Sequence, residues 1–322
     1  MLGSSFEVTH AHGGTALRIW EGDTAMSDNQ VAAPARRSAF LPAERDTDQH
    51  IVDTLIEERC PSFAEHWTWP VVRPTLHALL GYRKARHMAD RMAKLSGRQA
   101  FDDLMQALDV DLHLNRFERL PREGRLIIAA NHPTGLADGV AVWAALTQYR
   151  QDVVFFANAD AIRVNRRFED VIIPVEWVME KRSPAKTRET LRRAADAFAQ
   201  EKCVVIFPSG KLAKMVDGTL TEQDWFSTVI GLAKKQNASV LPLHITAKNS
   251  SLFYLLSNLN GELRDITLFY ELLNKTRSRF DMTMGPLISP EQLVGDAVET
   301  TERLKNYVAY GLKDDPDRPF GE

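Results

Sequence analysis

The chain has 322 residues, 44% of them hydrophobic and 26% charged, with 40 basic against 43 acidic side chains for a net charge of −3. That length supports one large or two ordinary domains around a sizeable core. The near-balance of charge excludes a nucleic-acid binder held by bulk electrostatics.

Two cysteines, Cys60 and Cys203, give neither a disulfide framework nor a zinc spacing, which points to a reducing compartment. No apolar stretch approaches the roughly 20 residues that span a bilayer. The N-terminus lacks the basic and apolar regions of a signal peptide. The expectation is a protein that is soluble or lies on a membrane without crossing it. Residues 1–48, rich in Gly, Ser, Ala and charge with no sustained period, read as a disordered tail, with Met26 an alternative start to Met1.

Residues 49–115 read as a helical region. Its stretch FAEHWTWPVVRPTLHALLGYRKARHMADRMAKL sets Trp67, Trp69, Val71 and Leu79 among basic residues. Such a segment either lies in a bilayer surface or packs its apolar stripe against the rest of the protein. GRQAFDDLMQALDV then predicts a short helix with Phe101, Leu104, Met105 and Leu108 on one face.

Over residues 116–312 strand and helix patterns alternate. Leu126 to Ala130 predicts a buried strand, Asn131 to Gly135 a turn, and Gly139 onward a buried helix whose start Asp138 caps. Further strands are predicted at Val153–Phe156, Val171–Val175, Cys203–Phe207 and Ser239–Ile245, and through Phe280, Met282 and Met284. Between them fall helices at Ser183–Gln200, with Ser183 as N-cap, and at Thr221–Lys235. Ser251–Leu259 reads as a helix ended by Gly261. Ser289-Pro290 opens another, and Ala297–Tyr310 a last one. The fold class is α/β, a largely parallel central sheet flanked by helices, with a helical N-terminal extension. Residues 313–322 form a polar tail.

Four segments carry chemistry. His132 sits on a loop just past a strand end, and Asp138 at the next helix N-terminus. A carboxylate that accepts one imidazole N–H fixes the tautomer and leaves the other nitrogen to take a proton. VMEKRSPAK places Arg182 before a helix N-terminus, where an arginine grips a phosphate. VVIFPSGKLAK runs a strand into the turn Ser209-Gly210, followed by Lys211 and Lys214, which suits an anion. VLPLHI holds His244, which reads as a core or rim histidine.

In this order the segments resemble the glycerolipid acyltransferase family, the 1-acylglycerol-3-phosphate acyltransferase type. That family shows Asn-His with a nearby Asp, then Ile-x-x-Arg, then Phe-Pro-Glu-Gly-Thr-Arg, then a Pro-x-x-Ile/Val strand. Here NHPTGLAD, VMEKR, FPSGKLAK and LPLHI follow in sequence over about residues 110 to 250. The long His–Asp spacing is similar to the hemolysin-like and ornithine-lipid branch. Ser209 stands where the family has Glu, and Lys214 is the candidate replacement for its Arg.

The resemblance implies an O-acyltransferase moving a fatty acyl group from acyl carrier protein or acyl-CoA to the hydroxyl of a lyso-glycerolipid or lyso-ornithine-type lipid. His132 would be the base and Asp138 its orienter. Asn131, Gly135, Arg182, Ser209, Gly210, Lys211 and Lys214 would face substrate, with amides near Gly135 or Gly210 serving the oxyanion. It implies no metal and no cofactor beyond the thioester co-substrate. The implied partners are an acyl donor, a lyso-lipid acceptor and a membrane surface, with no nucleic acid, on the inner face of the cytoplasmic membrane. A serine hydrolase is disfavoured, because no Gly-x-Ser-x-Gly elbow is present. The alternative is a non-catalytic lipid-binding protein that retains the fold. Ser209 favours it, and the intact His132 and Asp138 oppose it.

Overall fold

The computed structural model describes residues 38–41, 49–176 and 179–321. The expected tail over residues 1–48 therefore lies, apart from 38–41, outside the described residues, as do Trp177 and Val178.

The strands are β1 (Asp111–Asn115), β2 (Leu126–Ala130), β3 (Val153–Asn158), β4 (Ile172–Val175), β5 (Cys203–Ile206), β6 (Lys214–Val216), β7 (Thr219–Thr221), β8 (Ser239–Thr246) and β9 (Arg279–Met284). One sheet takes the order β1–β9–β8–β2–β5–β3–β4, and β6 and β7 form a separate hairpin. All neighbours in the large sheet run parallel except β8 and β9. A largely parallel sheet between helices is what the alternating pattern predicts.

β2 shows why the layers form. All five of its residues are buried, and alternate side chains leave opposite faces. Leu126, Ile128 and Ala130 pack with Val140 and Trp143 of the helix Leu136–Leu146 and with Phe101 and Leu104 of the helix Gly97–Leu108. Ile127 and Ala129 pack on the other side with Phe198, Ile230 and Val308. Full burial of each isoleucine contributes about 1.5–3 kcal/mol. Ile128 lies opposite Val205 of β5 and Leu241 of β8. The carboxyl ends of three parallel strands thus share one rim, the edge at which open α/β sheets bind ligands.

Several elements depart from expectation. The helix after β2 begins at Leu136, earlier than expected, so Asp138 caps it from the third helical position by accepting from Gly135 N. β1 occupies the end of the stretch expected to be helical. It is an edge strand of alternating polar and apolar residues, with Leu112 and Leu114 half-buried against the core and Asp111, His113 and Asn115 exposed. The Asp217-Gly218 turn, both residues at positive φ, closes the β6–β7 hairpin. The following helix consequently starts at Thr228 and not at Thr221. Gly261 opens a helix, capped by Asn260, instead of ending one. Ser289-Pro290 yields only a single 3-10 turn, and the last helix passes into a π-turn at Tyr307–Gly311.

In the N-terminal region five helices run from Ile51 to Leu108. Trp69 packs with Val52, Ile56, Ala85, Ala89 and Ile266. Trp67, Val71 and Leu79 remain exposed. Among the described residues no helix is long and apolar enough to cross a membrane.

Candidate active site

The loop from Asn131 to Gly135 leaves β2 at the rim and turns at once into the helix Leu136–Leu146. Gly135 makes that turn possible. Its φ of +86° is open to glycine, and a Cβ there would meet Leu212 at 2.9 Å. Asp138, fully buried, reaches back across the turn. Its Oδ2 accepts from the N–H groups of Thr134 (2.8 Å) and Gly135 (2.9 Å), and its Oδ1 accepts from the Thr134 hydroxyl. A carboxylate in the first turn also meets the positive end of the helix dipole.

His132 Nδ1 lies 3.0 Å from the same Oδ2. That contact has the length of a hydrogen bond without its alignment, so Nδ1 counts as a buried nitrogen with no aligned partner. Free enzymes often hold such contacts loosely and tighten them in the reactive complex. Phe207, just past β5, stacks on the imidazole with centroids 4.3 Å apart and planes at 25°. The His132 N–H donates to Glu222 Oε2 (3.1 Å), and its carbonyl accepts from Ala213 N (3.0 Å). The ring is therefore fixed from both sides while the side chain keeps 17% exposure.

That exposure opens onto a cavity of about 290 Å³. His132, Gly135 and Gly210 line it from the rim. Met88 and Met92, Phe101 and Leu104, and Phe269 and Leu272 line it from surrounding helices. Its wall is almost wholly apolar. The ion pair Arg59–Asp160, at 2.9 Å, supplies charge to the lining.

Residues 112–246 match the family model described as Acyltransferase. Through that segment this chain is similar to acyltransferases. Two lyso-glycine lipid O-acyltransferases, from Phocaeicola vulgatus and Bacteroides thetaiotaomicron, are 25% and 24% identical to it over 187 residues. The matches take in 56% of this chain and 65% and 67% of those relatives, so the chain spans just under two thirds of the length of the first. The solved structure of the 1-acyl-sn-glycerophosphate acyltransferase from Thermotoga maritima aligns with a TM-score of 0.45 at 16% identity, covering 84% of this chain and 98% of that one.

Within the matched segment, His132, Gly135 and Gly210 line the cavity, and Asp138 lies buried behind His132. The other expected site residues divide. The Asn131 carboxamide is spent on β8: Nδ2 donates to Ile245 O (2.9 Å) and Oδ1 accepts from Ile245 N (2.7 Å). It clamps the end of β2 to β8 with both ends of its carboxamide. Ser209 is buried, and its hydroxyl donates to Lys211 O (2.8 Å) to close its own turn. Of the amides near the two glycines, Gly135 N donates to Asp138 and Gly210 N to Phe207 O. Arg182 caps neither cavity nor loop. Its Nε donates to Glu176 O (3.0 Å) and its guanidinium lies 5.9 Å from the Phe226 ring centroid. Phe226 N in turn donates to Pro208 O, which keeps Arg182 near the rim. Lys211 and Lys214 are exposed, and neither forms an ion pair among the described residues. His244 is a core histidine, donating from Nδ1 to Val308 O (2.8 Å), and burial pushes its pKa down.

Sequence reasoning missed Glu222. It lies in the loop after β7, buried, and accepts from His132 N and from Trp225 Nε1 (3.0 Å). Burial pushes its carboxyl up from the ordinary value, against those hydrogen bonds and the nearby imidazole. No periodicity or motif marks it, because its partner is 90 residues earlier in the chain.

Proposed function

We propose that this protein is an O-acyltransferase that moves a fatty acyl group from the thioester of acyl carrier protein or coenzyme A to the hydroxyl of a lyso-lipid. The observation that carries this reading is an imidazole opening onto an apolar cavity while its inner nitrogen rests 3.0 Å from a buried carboxylate. His132 Nε2 removes the proton of the acceptor hydroxyl as its oxygen attacks the thioester carbonyl. The tetrahedral intermediate then collapses, the C–S bond breaks, and the proton passes to the leaving thiolate. Asp138 holds the ring and stabilises the imidazolium. General-base help of this kind contributes about 100- to 10,000-fold.

The cavity is read as the seat of an acyl chain, and the exposed Lys211 and Lys214 as partners for an anionic acceptor headgroup, carboxylate or phosphate. The lyso-glycine lipid relatives favour a carboxylate. A bilayer supplies such an acceptor, and two exposed apolar sets favour contact with it. One is Trp67, Val71 and Leu79, and the other is Leu252, Leu255 and Leu259. One contact, Ser62 Oγ to Glu262 Oε1 at 2.8 Å, joins the short helix Pro61–Ala64 before the first set to the helix Gly261–Ile266 after the second. Arg83 and Lys84 on the adjacent helix Tyr82–Met92 are exposed, which suits anionic lipid.

The test pairs acyl-carrier and acyl-coenzyme A donors with lyso-glycine lipid, lyso-ornithine lipid and lysophosphatidate, read by mass spectrometry. The expected result is an acylated product from wild type and none from His132→Ala, which melts as wild type does. Turnover by His132→Ala at the wild-type rate refutes the base. Binding of lyso-lipid without transfer from any donor favours the non-catalytic reading.

A further inference from the structure

Among the buried polar groups that the proposed reaction does not use are Glu271 with Lys275, Asn249 and Glu222. The Glu271–Lys275 pair, at 2.8 Å, is satisfied by Ser250 and serves packing. Asn249 has an unpartnered carboxamide but does not line the cavity. Glu222 alone touches the base residue itself.

We propose that Glu222 is the positioning residue for His132, supplying from the exit of the β6–β7 hairpin the carboxylate that Ser209 lacks in the Phe-Pro-x-Gly turn. The inference rests on acyl transfer by His132. Glu222 has three properties that a packing residue does not need. It is a buried carboxylate that pairs with no lysine or arginine among the described residues, a costly group to hide unless its acceptors are used. Its two oxygens are divided between two donors, Oε2 to the His132 backbone and Oε1 to the Trp225 indole. It also sits beside the Ser209 hydroxyl, so one side chain ties the His132 loop to the turn whose Phe207 stacks on the ring. The Ala213 N–H holds the His132 carbonyl from the same hairpin segment. His132 is thereby gripped on both backbone groups by residues 213 to 222, and the grip sets where Nε2 points. A misplacement of about 1 Å at a reacting group costs on the order of a hundredfold in rate.

The division of oxygens gives the test. In Glu222→Gln one oxygen becomes an amide NH2, which cannot accept from either donor. Either His132 N or Trp225 Nε1 must then face another donor. Removing the indole donor with Trp225→Phe lets the single remaining oxygen return to His132. The expectation is a kcat about a hundredfold lower in Glu222→Gln and Glu222→Ala, with KM for donor and acceptor within about threefold of wild type. Glu222→Gln/Trp225→Phe recovers to within about threefold of Trp225→Phe alone, while Glu222→Ala/Trp225→Phe does not. Equal loss in Glu222→Gln with and without Trp225→Phe overturns the role, as does a Glu222→Ala enzyme at wild-type kcat. A wild type that turns over, a dead His132→Ala and an unimpaired Glu222→Ala bring down this inference alone. A wild type with no transfer from any donor brings down both.

Discussion

Replacing Asp138 by Asn and by Ala separates its two tasks. In the folded protein Oδ2 takes two backbone N–H groups, at 2.8 and 2.9 Å, and Oδ1 takes the Thr134 hydroxyl. An asparagine keeps one oxygen for the two amides. Its NH2 then faces the Thr134 hydroxyl, which turns and accepts. Asp138→Asn should therefore cost about 1 kcal/mol or less, the scale of one altered hydrogen bond. Asp138→Ala strands two buried N–H groups at about 1–3 kcal/mol each, roughly 2–6 kcal/mol in all. At roughly 2–4 °C per kcal/mol for a domain of this size, its melting point falls by about 4 °C or more. Activity should divide differently. Both variants lose the charge that steadies the imidazolium 3.0 Å away, so both drop in kcat by about 100- to 10,000-fold. Differential scanning calorimetry and steady-state acyl transfer check the two halves. An Asp138→Asn enzyme within about tenfold of wild type would refute the orienter role. Equal melting of the two variants would refute the turn-bracing one.

Other tests address the frame. Asn131→Ala leaves the Ile245 N–H and C=O without partners and should lose roughly 2–6 kcal/mol in urea unfolding; unchanged stability would mean that the clamp carries nothing. Glu58 is held at about 2, below its ordinary 4.5, chiefly by the hydrogen bond from Arg163. Its contribution is complete above about 4.5 and fades as pH falls toward 2, so the melting gap between wild type and Glu58→Gln should narrow over that window. A gap that widens on acidification contradicts the pairing. Both thiols are buried and pushed up by that burial, Cys60 to about 11 and Cys203 to about 12. Neither should react with a thiol reagent at about pH 8 until the protein unfolds, and rapid labelling of native protein would show the burial to be wrong.

What could be read from the chain was local. β2 is a five-residue apolar run between turn residues, and its limits emerge as predicted because a strand buried on both faces has no other pattern. The Ser183 cap and Pro184 announce the helix Pro184–Ala199 in the same way. β1 escaped because its alternation, Leu112 and Leu114 between polar residues, runs for only five residues directly after a helical stretch. The Asp217-Gly218 turn carried a hairpin signal, but three-residue strands on either side gave it no apolar alternation to frame.

The site divides along the same line. His132 and Asp138 are six residues apart on one turn, so spacing alone brings them together. Asn131 and Glu222 depend on partners 114 and 90 residues away, and no local property of an Asn in a turn or a Glu among polar neighbours says where its side chain ends. The direction of the error is informative. Each residue expected to touch substrate but found holding backbone, Asn131 and Ser209, sits inside a motif whose neighbours do reach the cavity. A motif of this kind is therefore partly chemistry and partly scaffolding. The proposed base needs a loop that cannot drift, and the residues flanking His132 and Phe207 are spent on preventing that.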